Sequence, residues 1–230
     1  MCDERSDHYY PILLDLKDKK ALVVGGGKVA HRKIINLLDC GASVEVIARE
    51  LDGSLRILVE KGLISYGGQE FSEDRMDMVF LVIAATGDAE VNRCVSEQAR
   101  RKGLLVNAVD QPADCNFIVP SVLRRGDLVI SISTSGTSPA FAKKVREELE
   151  EHFGDEFEVF LRVMGHLRER VLSLGLSQEK NKGVFEKLVS SRLLHFIREK
   201  DWDGAAIIVT ETLGRPVSRG ELMTYAGKAE

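Results

Sequence analysis

No stretch of this 230-residue sequence approaches the roughly 20 continuous apolar residues of a membrane span. The first ten residues, MCDERSDHYY, lack the apolar core of a secretory leader. No two cysteines form a C-x-x-C pair, and the four present, Cys2, Cys40, Cys94 and Cys115, are scattered. That spacing argues against a disulfide frame or a structural zinc and fits reduced thiols. There is no basic excess: the formal net charge is −4, which leaves no global footprint for nucleic acid. Internal repeats and low-complexity linkers are missing too. These absences leave a soluble cytoplasmic protein as the expectation. The hydrophobic fraction, 44 %, is ordinary for a globular chain, and the length suits one large domain or two small ones.

The sequence changes character near residue 120. Before it, short apolar runs at 21–24, 43–48, 78–84 and 104–109 alternate with helical patterns at 28–39, 51–61 and 89–102. Gly41, Gly62 and Gly103 stand where helices end. Continuously apolar strands alternating with helices predict an α/β fold, with a parallel sheet covered on both faces. After residue 120 one more strand pattern, 127–134, is followed by helices near 139–153, 155–174, 178–199 and 203–213. Within FEVFLRVMGHLRERV, Phe157, Phe160, Leu161, Met164, Leu167 and Val171 recur at helical spacing. That stripe suits either a dimer interface or an internal core. The tail from 214 to 230 shows little apolar periodicity and reads as loosely held.

The run at 21–24 stops at three glycines, and a helical pattern starts at once. Gly25, Gly27 and Ala30 make G-x-G-x-x-A between a strand and a helix. In that context Gly25 permits a tight turn, Gly27 lets backbone approach a pyrophosphate, and Ala30 allows close helix–sheet packing. The free N–H groups at the helix start, those of Lys28, Val29 and Ala30, then face the phosphates. A ribose would be read at the end of the second strand, where Arg49 precedes Glu50. Glu50 could accept from ribose hydroxyls, which indicates NAD, whereas Arg49 could meet a 2′-phosphate. NAD is the modest preference. His31, on the first helical turn, reads as a surface residue.

Two further constellations follow. In NAVDQPADCNFIVPS, Asp110 sits where a strand ends, at the sheet edge where ligands bind in open α/β folds. Asn107, Asp114 and Asn116 are its polar neighbours. Turn chemistry accounts equally well for each of them. In STSGTSPAFAKKVREELEEHF, Ser138 is a good N-cap and Pro139 a good first helical residue. The hydroxyls and N–H groups of Thr134, Ser135, Gly136, Thr137 and Ser138, with Lys143, Lys144 and Arg146 behind them, suit a substrate carboxylate. His152, near that helix's end, reads as a dipole partner. No His/Cys/Asp cluster has metal-ligand spacing.

Taken in order, YYPILLDLKDKKALVVGGGKVAHRK, LVIAATGDAEVN, NAVDQPADCNFIVPS and STSGTSPAFAKKVREELE make the chain resemble a siroheme-forming family. This is the precorrin-2 dehydrogenase / sirohydrochlorin ferrochelatase family, found alone or as the N-terminal module of siroheme synthases. The resemblance covers about residues 9–150. It implies a Rossmann-type NAD-binding domain over 1–120, a dimerisation segment over 121–153 and a helical domain over 154–230. It implies oxidation of precorrin-2, a macrocycle with eight carboxylates, to sirohydrochlorin with NAD⁺, and in many members insertion of Fe²⁺ by the same cleft. The family's key aspartate aligns with Asp110. Its loop hydroxyl, a serine in some relatives and sometimes phosphorylated, aligns with Thr134. Asn116 and residues 134–138 become expected substrate contacts, and a homodimer becomes the expected assembly. Two rivals stand beside this expectation. One is another NAD(P)-dependent reductase, which has no reason for the STSGTSP loop. The other is a non-catalytic NAD(H)-sensing module, which needs no aspartate cleft.

Overall fold

Five short strands, each two to three turns of pleat in length, form one parallel sheet. They are β1 (Lys20–Val24), β2 (Ser43–Ile47), β3 (Ser65–Gly68), β4 (Leu81–Ala84) and β5 (Leu105–Ala108), in the order β3-β2-β1-β4-β5. The computed structural model describes residues 9–227, so Cys2 and most of the polar N-terminal stretch lie outside what is described. Successive side chains of a strand point to opposite faces, and here both faces are dry. Ala21 and Val23 of β1 join Val44, Val46, Leu81 and Ile83 on one side, under α1 (Lys28–Asp39) and α2 (Gly53–Glu60). Leu22 and Val24 join Ile47, Val82, Ala84, Val106 and Ala108 on the other, under Val95 and Ala99 of α3 (Ala89–Arg101). Burial on both faces explains why the strands read as unbroken apolar runs rather than alternating ones. The strand order reverses beside β1, so a crevice opens at the carboxyl ends of β1 and β4.

The chain divides into two compact units that meet between Val119 and Pro120. The second starts with an antiparallel hairpin, β6 (Ser121–Arg125) and β7 (Leu128–Ile132), covered by α4 (Pro139–His152). Then come α5 (Glu156–Ser173), α6 (Gln178–Ser190), α7 (Leu193–Arg198), α8 (Trp202–Leu213) and α9 (Arg219–Tyr225). Val163, Leu167, Leu188, Leu193, Ala205, Val209 and Leu222 are fully buried at their centre. The apolar stripe of α5 therefore serves the unit's own core: Phe160 and Leu167 are buried in it, and Leu161 and Met164 pack against it.

Three sequence expectations need correction. The helix expected over 178–199 is two, because Ser191 takes an extended conformation (φ −77°, ψ 179°) and its hydroxyl accepts the N–H of Leu193 at 3.1 Å. The tail is docked through residue 226. Val217, Leu222 and Ala226 are buried, and α9 starts with a reciprocal capping box between Ser218 and Glu221. Strand β3 (SYGG) carries no apolar signal at all. Among the described residues no helix is long and apolar enough to cross a membrane.

Candidate functional site

The glycine corner is built from three different constraints. Gly25 has φ +132°, and a Cβ there would collide with the Ala85 carbonyl. A Cβ on Gly26 would collide with the carbonyl of Glu50. Gly27 is unlike both: its φ is −93°, and nothing lies within 4 Å of the position its Cβ would take. The fold itself would admit a side chain at Gly27, and the open space it faces is the cleft. Gly27 is also the N-cap of α1, with no side-chain cap and no acidic residue in the first turn. The first intrahelical bond runs from His31 N–H to the Gly27 carbonyl at 3.0 Å. The N–H groups of Lys28, Val29 and Ala30 thus point outward at the positive end of the helix, a site made for an anion.

The cleft around this corner measures ≈ 790 Å³, within the usual range of small-molecule sites. Its walls are residues 24–29, the end of β2 with Arg49 and Glu50, residues 69–71, the loop 85–88, Val91 and Cys94 of α3, and Val109 with Asp110. Arg49 and Glu50 are both exposed, and neither is drawn into an ion pair among the described residues. A nicotinamide dinucleotide fits this donor set. Pyrophosphate would lie on the α1 N-terminus, and a ribose would lie beside Arg49 and Glu50.

The loop 85–88, inside LVIAATGDAEVN, is a part of the cleft to which residue types alone assign no role. Buried Asn92 holds the loop: its Oδ1 accepts the Thr86 N–H at 3.0 Å, and its Nδ2 donates to the Thr86 carbonyl at 3.1 Å. Asp88 caps α3 by accepting from the N–H groups of Glu90 and Val91 at 2.9 and 3.3 Å.

Asp110 is exposed, lines the same cleft and sits just past β5 with φ +60°. Aspartate tolerates this left-handed conformation better than most residues. The turn is stapled from behind. Cys115 Sγ accepts the Ala108 N–H at 3.2 Å and lies 3.2 and 3.3 Å from the carbonyls of Ala108 and Gln111. Burial pushes the Cys115 thiol above its ordinary pKa, so it stays protonated and donates. Arg100 donates to the carbonyls of Ala113 and Cys115 at 2.9 and 2.7 Å, and the Ser96 hydroxyl donates to that of Asp114. The cysteine count alone carried no hint of this.

Asn116 was expected near substrate. The structure gives both ends of its amide to backbone in and just before β5: Oδ1 accepts the Val106 N–H at 2.7 Å, and Nδ2 donates to the Leu104 carbonyl at 2.8 Å. It substitutes for a missing neighbour strand.

In the second unit, residues 133–138 form a tight corner with Ser135 at φ +53° and Gly136 at φ +88°. Three of its hydroxyls turn inward. Thr134 Oγ1 accepts the Ser138 N–H at 3.0 Å, Ser133 Oγ accepts the Ser135 N–H at 3.0 Å, and Ser138 Oγ accepts the Phe141 N–H at 3.3 Å. His152 closes α4, its Nδ1 lying 3.0 Å from the Glu148 carbonyl. Among the described residues no group of three acidic, His or Cys side chains is arranged to hold a metal ion.

A family model for NAD(P)-binding matches residues 12–121, and one for the sirohaem biosynthesis protein central region matches 125–152. Siroheme synthase 1 of Serratia proteamaculans is 41 % identical over 171 residues, covering 73 % of this chain and 36 % of its own length. Siroheme synthase of Zymomonas mobilis is 33 % identical, covering 89 % of this chain and 44 % of its own length. The chain thus spans less than half the length of these relatives. Among solved structures, SirC, a precorrin-2 dehydrogenase, superposes with a TM-score of 0.74 at 25 % identity, covering 90 % of this chain and 98 % of that one. By sequence in both of its units, and by fold, the chain aligns with the siroheme-forming precorrin-2 dehydrogenase / sirohydrochlorin ferrochelatase family.

Proposed function

We propose that this chain is a dehydrogenase that oxidises precorrin-2 to sirohydrochlorin with NAD⁺. The observation that carries the reading is one cleft lined by both an uncapped, acid-free helix N-terminus and an aspartate whose carboxylate has no partner among the described residues. The first favours a dinucleotide pyrophosphate, and the second favours proton chemistry beside it. When bound, NAD⁺ supplies the two-electron acceptor for a substrate that loses a hydride and a proton. Gly27 leaves room for the phosphates, and the N–H groups of Lys28, Val29 and Ala30 bind them. Glu50 accepts from the ribose hydroxyls, which is the reason to prefer NAD over NADP. Asp110 orients the macrocycle and takes up the departing proton. The hydroxyls of Ser135 and Thr137 and the Gly136 N–H, which the corner itself leaves free, contact a substrate carboxylate. Fe²⁺ is a second substrate under this reading, with Asp110 drawing protons from the pyrrole nitrogens.

Anaerobic incubation with enzymatically made precorrin-2 tests the proposal. Conversion to sirohydrochlorin with NAD⁺, faster than with NADP⁺, is expected. NADH binding without turnover would favour the sensing module instead. Asp110→Asn keeps the left-handed turn and should lower turnover about 10²–10⁴-fold at saturating NAD⁺, with cofactor affinity unchanged by calorimetry. Retained oxidation with lost Fe²⁺ or Co²⁺ insertion would reassign Asp110 to chelation.

The protein is also proposed to be a homodimer through 121–153. A two-stranded hairpin is marginal alone, and Val122 and Phe141 stand exposed on it and on α4 at 39 % and 58 %. Light scattering at micromolar concentration should give twice the chain mass, and a monomer would remove this part of the proposal.

A further inference from the structure

Lys33 occupies a position where the fold asks for an apolar residue. It lies on the face of α1 that carries Ala30, Ile34 and Leu37, all buried. Val109 and Phe117, on either side of the Asp110 turn, pack against the core cluster that this face joins. One helical turn back, Val29 lines the cleft, while Lys33 stands behind that wall rather than in it; helical side chains lean toward the N-terminus, which is the cleft end of α1. Lys33 itself is half-buried, and no hydrogen bond or ion pair among the described residues holds its ammonium. Burial pulls its pKa below the ordinary lysine range, and Arg32 beside it adds repulsion. Cys115 of the Asp110 turn, near enough to act on it electrostatically, is itself kept neutral by burial. A half-buried, unpaired cation destabilises the protein that carries it. Leucine or methionine would fill the same stripe at no such cost, and the ammonium stands available to an anion from outside the protein.

We propose that Lys33 is a substrate-anchoring residue, its ammonium pairing with a carboxylate of the macrocycle where the ring meets the Asp110 turn. The proposal rests on the functional reading above, which supplies a polycarboxylate substrate. Pairing converts an unfavourable buried charge into a charge-assisted hydrogen bond and fixes the ring's orientation beside Asp110. The cofactor pyrophosphate is the competing anion. It belongs to the first turn of α1, and Lys33 is about 9 Å further along the axis than Gly27.

The test uses Lys33→Met and Lys33→Arg in the full chain, with uroporphyrin III as an octacarboxylate probe. For Lys33→Met, uroporphyrin binding followed by fluorescence should weaken about tenfold or more, and KM for precorrin-2 should rise by a similar factor. Its kcat should change only a few-fold. NAD⁺ affinity should stay unchanged, and the melting temperature should hold or rise. Lys33→Arg should restore most of the binding. Unchanged probe affinity and KM would overturn the proposal. A lowered melting temperature with equal losses in every activity would make Lys33 structural. A selective loss of NAD⁺ affinity would assign it to the pyrophosphate. Probe binding does not depend on turnover. If the wild type binds uroporphyrin through Lys33 yet fails to oxidise precorrin-2, the anchor stands and the functional reading falls. If oxidation proceeds with Lys33→Met at unchanged KM, the reverse holds.

Discussion

Two strand–loop–helix corners of this chain solve the same problem in opposite ways. At the start of α4, three hydroxyls accept the N–H groups of Ser135, Ser138 and Phe141, and the helix start is capped from within. At the start of α1, Gly27 offers no side chain, and the first-turn N–H groups face the cleft. A self-capped helix start is locally stable without a ligand. A bare one in a cleft leaves its stabilisation to a ligand, so stability given up locally becomes affinity. The contrast locates the anion site more sharply than the glycine count does, since glycine turns occur in both corners.

The largest way to break this contrast is to turn the first corner into the second. Gly27→Asp would cap α1 with its own carboxylate and repel a pyrophosphate. NAD⁺ affinity by calorimetry should fall on the order of 100-fold or more, while the melting temperature stays level or rises slightly. Gly27→Val, which removes space without adding charge, should also abolish tight binding with the fold intact. In the other direction, Ser138→Ala should cost about 1 kcal/mol of stability and Thr134→Ala about half of that. Both are readable as shifts of a few degrees or less in thermal unfolding, with NAD⁺ affinity untouched. The smallest effect concerns a third capped helix, α9. Hydrogen bonds from Ser218, then Arg170, hold Glu221 below its ordinary pKa. Its contribution is therefore complete above the ordinary glutamate range and fades as pH falls through the lowered folded value. Glu221→Gln should flatten that acid limb slightly, since the pair is largely in solvent.

Much of the first corner was legible in the sequence. A glycine triplet between an apolar run and an amphipathic helix has few other uses, and α1 spans the residues its periodicity marks, Lys28–Asp39. What escaped had physical reasons. Strand β3 is held by backbone pairing to β2 and needs no apolar side chains, so SYGG gave no signal. The break at Ser191 depends on one hydroxyl accepting a backbone N–H. The capping box of α9 was present as Ser-x-x-Glu, but a short helix with one fully buried residue has almost no periodicity. Asn116 and Cys115 looked like site residues or bystanders because their partners are backbone groups of β5 and the Asp110 turn. Backbone partners leave no trace in residue identity.

The three glycines carry a consequence for the chain's descendants. Gly25 and Gly26 are guarded by carbonyls of the protein's own loops, Gly27 by nothing but an absent neighbour. In a lineage that keeps the fold but abandons the cofactor, selection on the first two persists while the third is released to drift. A gene duplicate reading Gly-Gly-X, with X bulky or acidic, would therefore mark a copy that still folds and no longer holds a nucleotide, and would show when in its history the nucleotide was lost.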